Sequence, residues 1–311
     1  MPKILLQPLY FFAAASILLI VAPLLGLFYW ALELANYLSL HSAAVLLIIA
    51  PLLLIAGKRL EAAICFAFAT MGILFVMPFY VPTQPQTSCN PVQRALLINL
   101  LKENRDYQRV TDYVRSANPD IVIFEEVTPA WDDALRDLRD EYPYWKSVPR
   151  ADHTGIAILS KIPDIEAEIT TIGGNSPPSV VSNYVLNGSP VLVIGTHPPP
   201  PFGPIAADAK KLHFQQLAQI IKSHDGAVIV LGDLNMTSRS SLFQWFVHDT
   251  HLRDTRLGFG LQPTFPVSSP LFRIDIDHAL VSSGVAVQSR RLGPDIGSDH
   301  YPVELDYSIQ C

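Results

Sequence analysis

Charge is scarce in this sequence of 311 residues: Asp, Glu, Lys and Arg make up 16 % of it, and long stretches have none. No charged residue occurs between Ile4 and Leu32, between Leu34 and Gly57, or in AAICFAFATMGILFVMPFYVP from Ala62 to Pro82. A helix of roughly 20 apolar residues crosses a hydrocarbon core, so three transmembrane helices are expected at about 9–31, 38–57 and 62–81. A cleavable signal peptide fits poorly, because its apolar part is about 7–15 residues long and two more apolar runs follow here. Pro8, Pro23 and Pro51 are compatible with spans, where proline is tolerated as a kink. The less favoured alternative is a set of very apolar core helices in a soluble protein.

The rest of the chain lacks net positive charge. Residues 1–82 hold three basic and two acidic side chains; removing them from the chain's 22 and 28 leaves 19 basic and 26 acidic, a net of −7. Non-specific nucleic-acid binding wants a positive field, which this part does not have as a whole. Cysteine is rare too. Cys65 falls inside the third span, Cys89 just before the soluble part, and Cys311 at the end. If the soluble part lies outside the cytoplasm, a Cys89–Cys311 disulfide is permitted; two unrelated thiols are the alternative.

Basic residues beside the spans set orientation. Lys3 precedes the first, Lys58 and Arg59 separate the second from the third, and the turn near LELANYLSLH has neither. This puts the N-terminus in the cytoplasm and everything after Pro82 on the far side. VPTQPQTSCNPVQ (81–93) reads as a linker, with its core at 83–93, and residues 94–311 have the size of one domain.

Within that domain, apolar runs alternate with helical patterns, and no internal repeat is seen. Strands are expected at RALLINLL (94–101), IVIFEEV (121–127), GIAILS (155–160), VVSNYVL (180–186) and PVLVIGTH (190–197). More follow at VIVLGD (228–233), RIDIDHALVS (273–282), VAVQSRRL (285–292) and YPVELDY (301–307). Helices are expected at 106–118, 129–142 and about 205–222, with a shorter one from Ser240. Such a mixture suggests an α/β fold of two packed sheets covered by helices.

Polar residues gather where these strands end. Asn99 lies in the first, Glu125 and Glu126 end the second, and His197 ends PVLVIGTH. VIVLGDLNMT delivers Asp233 and Asn235, which lean to one side in an extended chain, though both residue types also favour turns. Asp275, Asp277 and His278 sit in RIDIDHALVS, and Asp299 and His300 precede the last strand. Carboxylate and amide oxygens without a cysteine ligand suit a hard cation, Mg²⁺ or Mn²⁺. Such an ion stabilises charge on a phosphoryl group. A histidine beside a carboxylate is held in one orientation with its charged form favoured.

The ordered blocks Asn99, IVIFEEV, GIAILSK, GTHPP, GDLN, IDHALVS and GSDHYPV resemble the endonuclease/exonuclease/phosphatase superfamily across about 94–308. The N-terminal spans resemble those of bacterial inner-membrane members, which implies a multi-pass protein with a periplasmic catalytic domain. The resemblance implies a four-layer α/β/β/α sandwich preceded by three transmembrane helices, and a metal-dependent phosphoesterase. It implies that Glu126 is the principal metal ligand, with Asn99 beside it and Asp299 near the metal. Asp233 would position or deprotonate the attacking water, and Asn235 would bind the phosphate. His197 would stabilise the phosphoryl oxygens or assist the leaving group, Asp277 would orient a histidine, and His300 would face the scissile phosphate. Many members have Gln where Glu125 stands, so the choice of Glu126 rests on alignment, as does Asp277 over Asp275. Asn104 is expected either in the cleft or in a helix N-terminal turn; His153, His213, His224, His248 and His251 are expected to be solvated or capping.

The domain charge and the spans favour a lipid head group or a small phosphodiester as substrate, with the lipid bilayer itself as a partner. The apolar loops NSPPSVV, PPPPFGPI and FPVSSPLF are candidates for contact with a bilayer surface. A nuclease is the alternative, with Arg239, Arg253, Arg256 and Arg273 able to form a local basic patch. A binding module of the same fold that has lost turnover is the third reading. It expects a missing metal acid or histidine, and none is missing.

Overall fold

The computed structural model describes residues 3–82, 91–174 and 176–310. Cys89, Cys311 and most of the expected linker lie outside them. Four helices come first: α1 (Lys3–Val21), α2 (Trp30–Glu33), α3 (Ser39–Ile55) and α4 (Arg59–Leu74). Among the described residues one helix, Leu6–Leu25, is long and apolar enough to cross a membrane. The pair Trp30–Tyr37 and Ser39–Ile55, bent by 62°, makes a second only if it is a single span.

Three full-length spans are therefore a correction. An uncharged run is not one straight helix. Residues 22–25 form a tight 3-10 turn at Pro23, and 26–38 break into short turns before α3 begins. At 1.5 Å per residue the 17 residues of α3 and the 16 of α4 reach about 25 Å, short of a hydrocarbon core of about 30 Å. The three helices pack on small side chains. A Cβ on Gly72 would lie 2.5 Å from the Cβ of Ala43, an approach that only glycine permits.

The first sheet is built from β1 (Gln93–Asn99), β2 (Ile121–Glu125), β3 (Tyr144–Val148), β4 (Ile156–Ser160), β11 (Val285–Leu292) and β12 (Val303–Ile309). Its order is β11-β12-β1-β2-β4-β3. The second contains β5 (Glu166–Thr171), β6 (Pro178–Leu186), β7 (Ser189–Thr196), β8 (Ala227–Asp233), β9 (Arg253–Asp254) and β10 (Asp277–Val281), in the order β5-β6-β7-β8-β10-β9. Only β1–β2 and β7–β8 run parallel. Helices α5 (Tyr107–Ala117) and α6 (Pro129–Leu135) accompany the first sheet, and α7 (Pro204–Lys222) and α8 (Ser241–Thr250) the second.

Strand alternation makes the layers. Ala95, Leu97, Ile121, Ile123, Ile229 and Leu231 belong to one core between the sheets. Their neighbours Leu96, Ile98, Val122 and Phe124 pack under α5 and α6, while Val228 and Val230 pack under α7 and α8. The result is an α/β/β/α sandwich. The sheets meet closely at Gly195, where a Cβ would come within 2.7 Å of Ile123.

Differences from the sequence reading are local. β3 and β5, at the sheet edges, were not expected; both are largely half-exposed or exposed, so neither has a strongly apolar pattern. The helix expected over 129–142 stops at Leu135 and tightens to 3-10 geometry at Arg136–Leu138. RIDIDHALVS is strand only from Asp277.

Candidate active site

The residues that point between the sheets recur every second position, and the same parity continues past the apolar stretch. After Ala95 and Leu97 comes Asn99; after Ile121 and Ile123, Glu125; after Ile229 and Leu231, Asp233. Asp277 precedes Ala279 and Val281 on the same face. Asn99 pairs with Glu125 across β1–β2, and Asp233 with Asp277 across β8–β10. The site is thus the open end of the inter-sheet core, where strands that are apolar inside finish polar.

Asp233 is its centre. One carboxylate oxygen accepts the backbone N–H of Asn235 at 2.9 Å; the other accepts the Asn99 amide at 3.3 Å. That second oxygen faces His197 Nε2 at 3.6 Å and His300 Nε2 at 3.7 Å. Burial and the charge of Asp277 push the Asp233 carboxyl up, while His300 and His197 pull it down. Asp277 meets His300 Nδ1 at 2.8 Å. Burial lowers the His300 imidazole, but Asp277 and Asp233 outweigh it and hold it up at about 10, so it is a cation near neutral pH. The Phe265 ring lies 4.6 Å from the His300 ring.

The paired acids part company. Glu125 ends β2 fully buried and accepts the Asp233 N–H at 3.1 and 3.2 Å; burial and then Asp233 raise it well above the usual carboxylate range. Glu126 turns out of the strand with φ of 58°, which swings its side chain into the cleft. There it accepts the Lys102 N–H at 3.0 Å and meets His153 Nδ1 at 2.8 Å.

Glu103, Glu126 and His153 form one group that could hold a metal; Asp233, Asp277 and His300 form another. Asp299 Oδ1 is buried with no hydrogen-bond partner. Burial raises the Asp299 carboxyl, the charge of His300 lowers it, and the charge of Glu126 raises it. Asp299 Oδ1 lies 3.9 Å from His300 Nε2, and Asp299 lines the same cleft as Glu126; an unsatisfied carboxylate oxygen in such a cleft fits a hard divalent cation.

Asn99, Glu126, His197, Asp233, Asn235, Asp277, Asp299 and His300 are thus brought to one end of the sandwich. A cleft of about 520 Å³ opens over Glu126, His197, Asp233, Asn235, Asp299 and His300, and among its lining residues there is no Lys or Arg. Asn235, at φ of 50°, donates its side-chain amide to Pro198 O at 3.0 Å. Behind it, Lys210 donates to Asn235 O at 2.7 Å and is pulled down to about 7 by burial, against the upward pull of Asp233 and Glu33.

Several residues differ from expectation. His153 is exposed, as expected, but also bonds Glu126; no spacing signal marks that contact, because it comes from a loop. His213 is buried in the core, bonded to Thr196 Oγ1 and Ile172 O. Asn104 takes the second of its two expected places, in the turn before α5, accepting Asp106 N–H and donating to Ile296 O. Asp275 is consumed by Arg239 at 2.9 Å and Arg256 at 2.5 Å. That also removes two members of the expected basic patch, since both arginines are buried. Tyr37, from before α3, lines the cleft and was not foreseen.

No curated protein matches the chain in sequence. Among solved structures, zebrafish (D. rerio) TDP2 complexed with a single strand DNA product has a TM-score of 0.58 and 16 % identity, covering 70 % of this chain and 100 % of that one. An endonuclease/exonuclease/phosphatase from Bacteroides vulgatus gives 0.57 and 18 %, with 71 % and 100 % covered. The human Nocturnin catalytic domain gives 0.56 and 16 %, with 73 % and 98 % covered. At these identities the likeness is one of fold. Residues 96–300 match the model of the endonuclease/exonuclease/phosphatase family, so the chain, as its ordered motifs suggested, belongs to that family, whose members hydrolyse phosphoester bonds.

Proposed function

We propose that the protein is a membrane-anchored, divalent-metal-dependent phosphoesterase acting on a lipid head group or a comparably small phosphodiester. The observation that carries this reading is Asp233 flanked by His197 and His300 at 3.6 and 3.7 Å, at the floor of a cleft without Lys or Arg. Asp233 accepts a proton from the attacking water. One P–O bond forms from that water and the ester P–O bond breaks, with the proton ending on the leaving oxygen. Asp277 fixes the His300 ring, and the charged imidazole meets the phosphoryl oxygens. His197 faces the same oxygens, and the Asn235 amide orients the phosphate. Glu126 and Asp299, with Asn99 nearby, would hold Mg²⁺ or Mn²⁺, which supplies positive charge against the phosphoryl group.

The cleft's character favours an amphiphile over a polynucleotide. Phe265, Ile274, Ile276, Phe202 and Pro198–Pro200 line it. Strong nucleic-acid binding requires cations along the backbone. Outside the cleft, Ile205, Leu271 and Phe272 are exposed, and the Phe272 ring stacks on His41 at the start of α3. That loop therefore sits beside the proposed anchor. Lys58 and Arg59, at the end of the helical unit away from this contact, support an orientation with the N-terminus in the cytoplasm and residues 94–311 outside it.

The test is full-length protein in detergent, given phospholipid vesicles, a generic phosphodiester or plasmid DNA, with Mg²⁺ or with chelator. Phosphate-ester release from lipid or the small diester, abolished by chelator, is expected. Cleavage of DNA alone would replace the reading with the nuclease.

A further inference from the structure

The segment between α1 and α3 is uncharged except for Glu33 and lies among apolar helices, yet three polar residues at its end and at the start of α3 are buried. Glu33 is 7 % exposed, Asn36 0 % and Ser39 6 %. Buried amides and carboxylates are costly unless they are hydrogen-bonded, so the useful question is what satisfies these. The answer in each case is the loop that follows Asp233. Asn36 Oδ1 accepts the Thr237 N–H at 3.0 Å. Ser39 Oγ accepts from Arg239 Nε at 3.0 Å. The Glu33 carboxylate accepts the Ser240 hydroxyl, and the Ser241 hydroxyl at 3.1 Å. Ser240 is the N-cap of α8, so the carboxylate also sits where a helix N-terminus favours negative charge.

Tyr37 carries this contact into the cleft. Its ring lines the cleft and its hydroxyl donates to the carbonyl oxygen of Asn235. That carbonyl belongs to a residue in the left-handed region, which a non-glycine residue holds only when its surroundings over-determine it. The N–H of the same residue donates to Asp233 at 2.9 Å. Tyr37, together with Lys210, which donates to the same carbonyl at 2.7 Å, thus helps to fix, through one residue, the carboxylate on which the reaction depends.

We propose that Tyr37 is a positioning residue of the active site, and that the segment Glu33–Ser39 is a structural part of the enzyme rather than a tether. The inference rests on the phosphoesterase reading of the cleft only for its kinetic arm. A turnover-competent Asp233 loop then requires the helical region to be seated. Detachment of that region would leave the Asn235 carbonyl to Lys210 alone and loosen the turn that holds Asp233.

The experiment uses the full chain in detergent micelles, with Tyr37→Phe, Tyr37→Ala and, as an outward-facing control in α3, Ile48→Ala. Two quantities are read: kcat and KM on a generic phosphodiester with Mg²⁺, and hydrogen–deuterium exchange of the peptide spanning 233–241. Tyr37→Phe keeps the ring and loses one hydrogen bond. It should lower kcat about tenfold with KM nearly unchanged, and speed exchange only in 234–241. Tyr37→Ala should do the same or more, and Ile48→Ala neither. Wild-type kcat and wild-type exchange in both Tyr37 variants would overturn the proposal. So would faster exchange spread over the whole chain, which marks a general packing role. If the unaltered protein turns over none of the substrates, the phosphoesterase reading falls and the exchange result alone decides the role of Tyr37.

Discussion

The N-terminal helices and the sandwich use the same apolar residue types in opposite ways. In the helices, small residues touch one another: Ala43, Ala50, Ala62 and Ala69 are buried against the larger Leu46 and Leu53. Large ones such as Ile48, Ile55 and Leu60 face outward, Ile55 at 84 % exposure. In the sandwich, Ile229, Leu231, Ile123 and Phe124 are wholly enclosed, and the outward positions of β5 carry Glu166 and Glu168. A domain in water must hide its apolar surface. Helices in lipid gain nothing by hiding it and associate through close backbone approach instead. The contrast supports different solvents for the two regions of one chain.

The largest effect should come from the polar end of the sandwich core. Asp233→Ala or His300→Ala is expected to cut kcat by about 10³-fold or more, with unfolding also shifted because each truncation leaves a buried partner unpaired; turnover close to wild type in either would remove the site assignment. Next, Ile229→Ala, between the sheets, should cost about 2–5 kcal/mol in unfolding free energy. An equally large truncation at Ile48 should cost far less, and equal losses would erase the contrast drawn above.

A charge sharpens it further. Ile48→Lys is expected to oppose insertion by about 3 kcal/mol if α3 lies in a bilayer, read as a fall in the membrane-integrated fraction. Glu168→Lys, on a solvated face, should change unfolding by no more than about 0.5 kcal/mol.

Acid adds a last, graded test. Burial, helped by Lys210 and opposed by the bond to Ile172, draws His213 down from 6.5 to about 4. Between those values the unfolded chain binds a proton that the folded one does not, so stability falls as pH drops from about 6.5 to about 4. The neutral ring's contribution is complete above that window and amounts to about 3 kcal/mol. His213→Gln should flatten this part of a denaturation-versus-pH curve; an unchanged slope would assign the acid loss elsewhere.

Much of the site was legible because strand parity extends through it. Asn99, Asp233 and Asp277 stand two residues beyond or before apolar positions of the same face, a relation that a one-dimensional pattern preserves. Parity could not separate Glu125 from Glu126, since a single left-handed residue reverses which of them enters the cleft. Nor could it separate Asp275 from Asp277, because two buried arginines from distant loops claim the first. His153 and Tyr37 arrive from a loop and from between apolar helices, where nothing periodic announces them.

By itself, then, the order of residues determined the alternation of apolar strands and helices, the apolar N-terminal quarter and the set of acids, amides and imidazoles at strand ends. These follow from local periods of two and 3.6 residues and from side-chain chemistry. Tertiary structure alone decided which acid faces the cleft, how short the N-terminal helices are, and that Glu33, Asn36 and Tyr37 brace the loop after Asp233. The last of these depends on contacts between positions about two hundred residues apart, and no local pattern encodes which distant groups will meet.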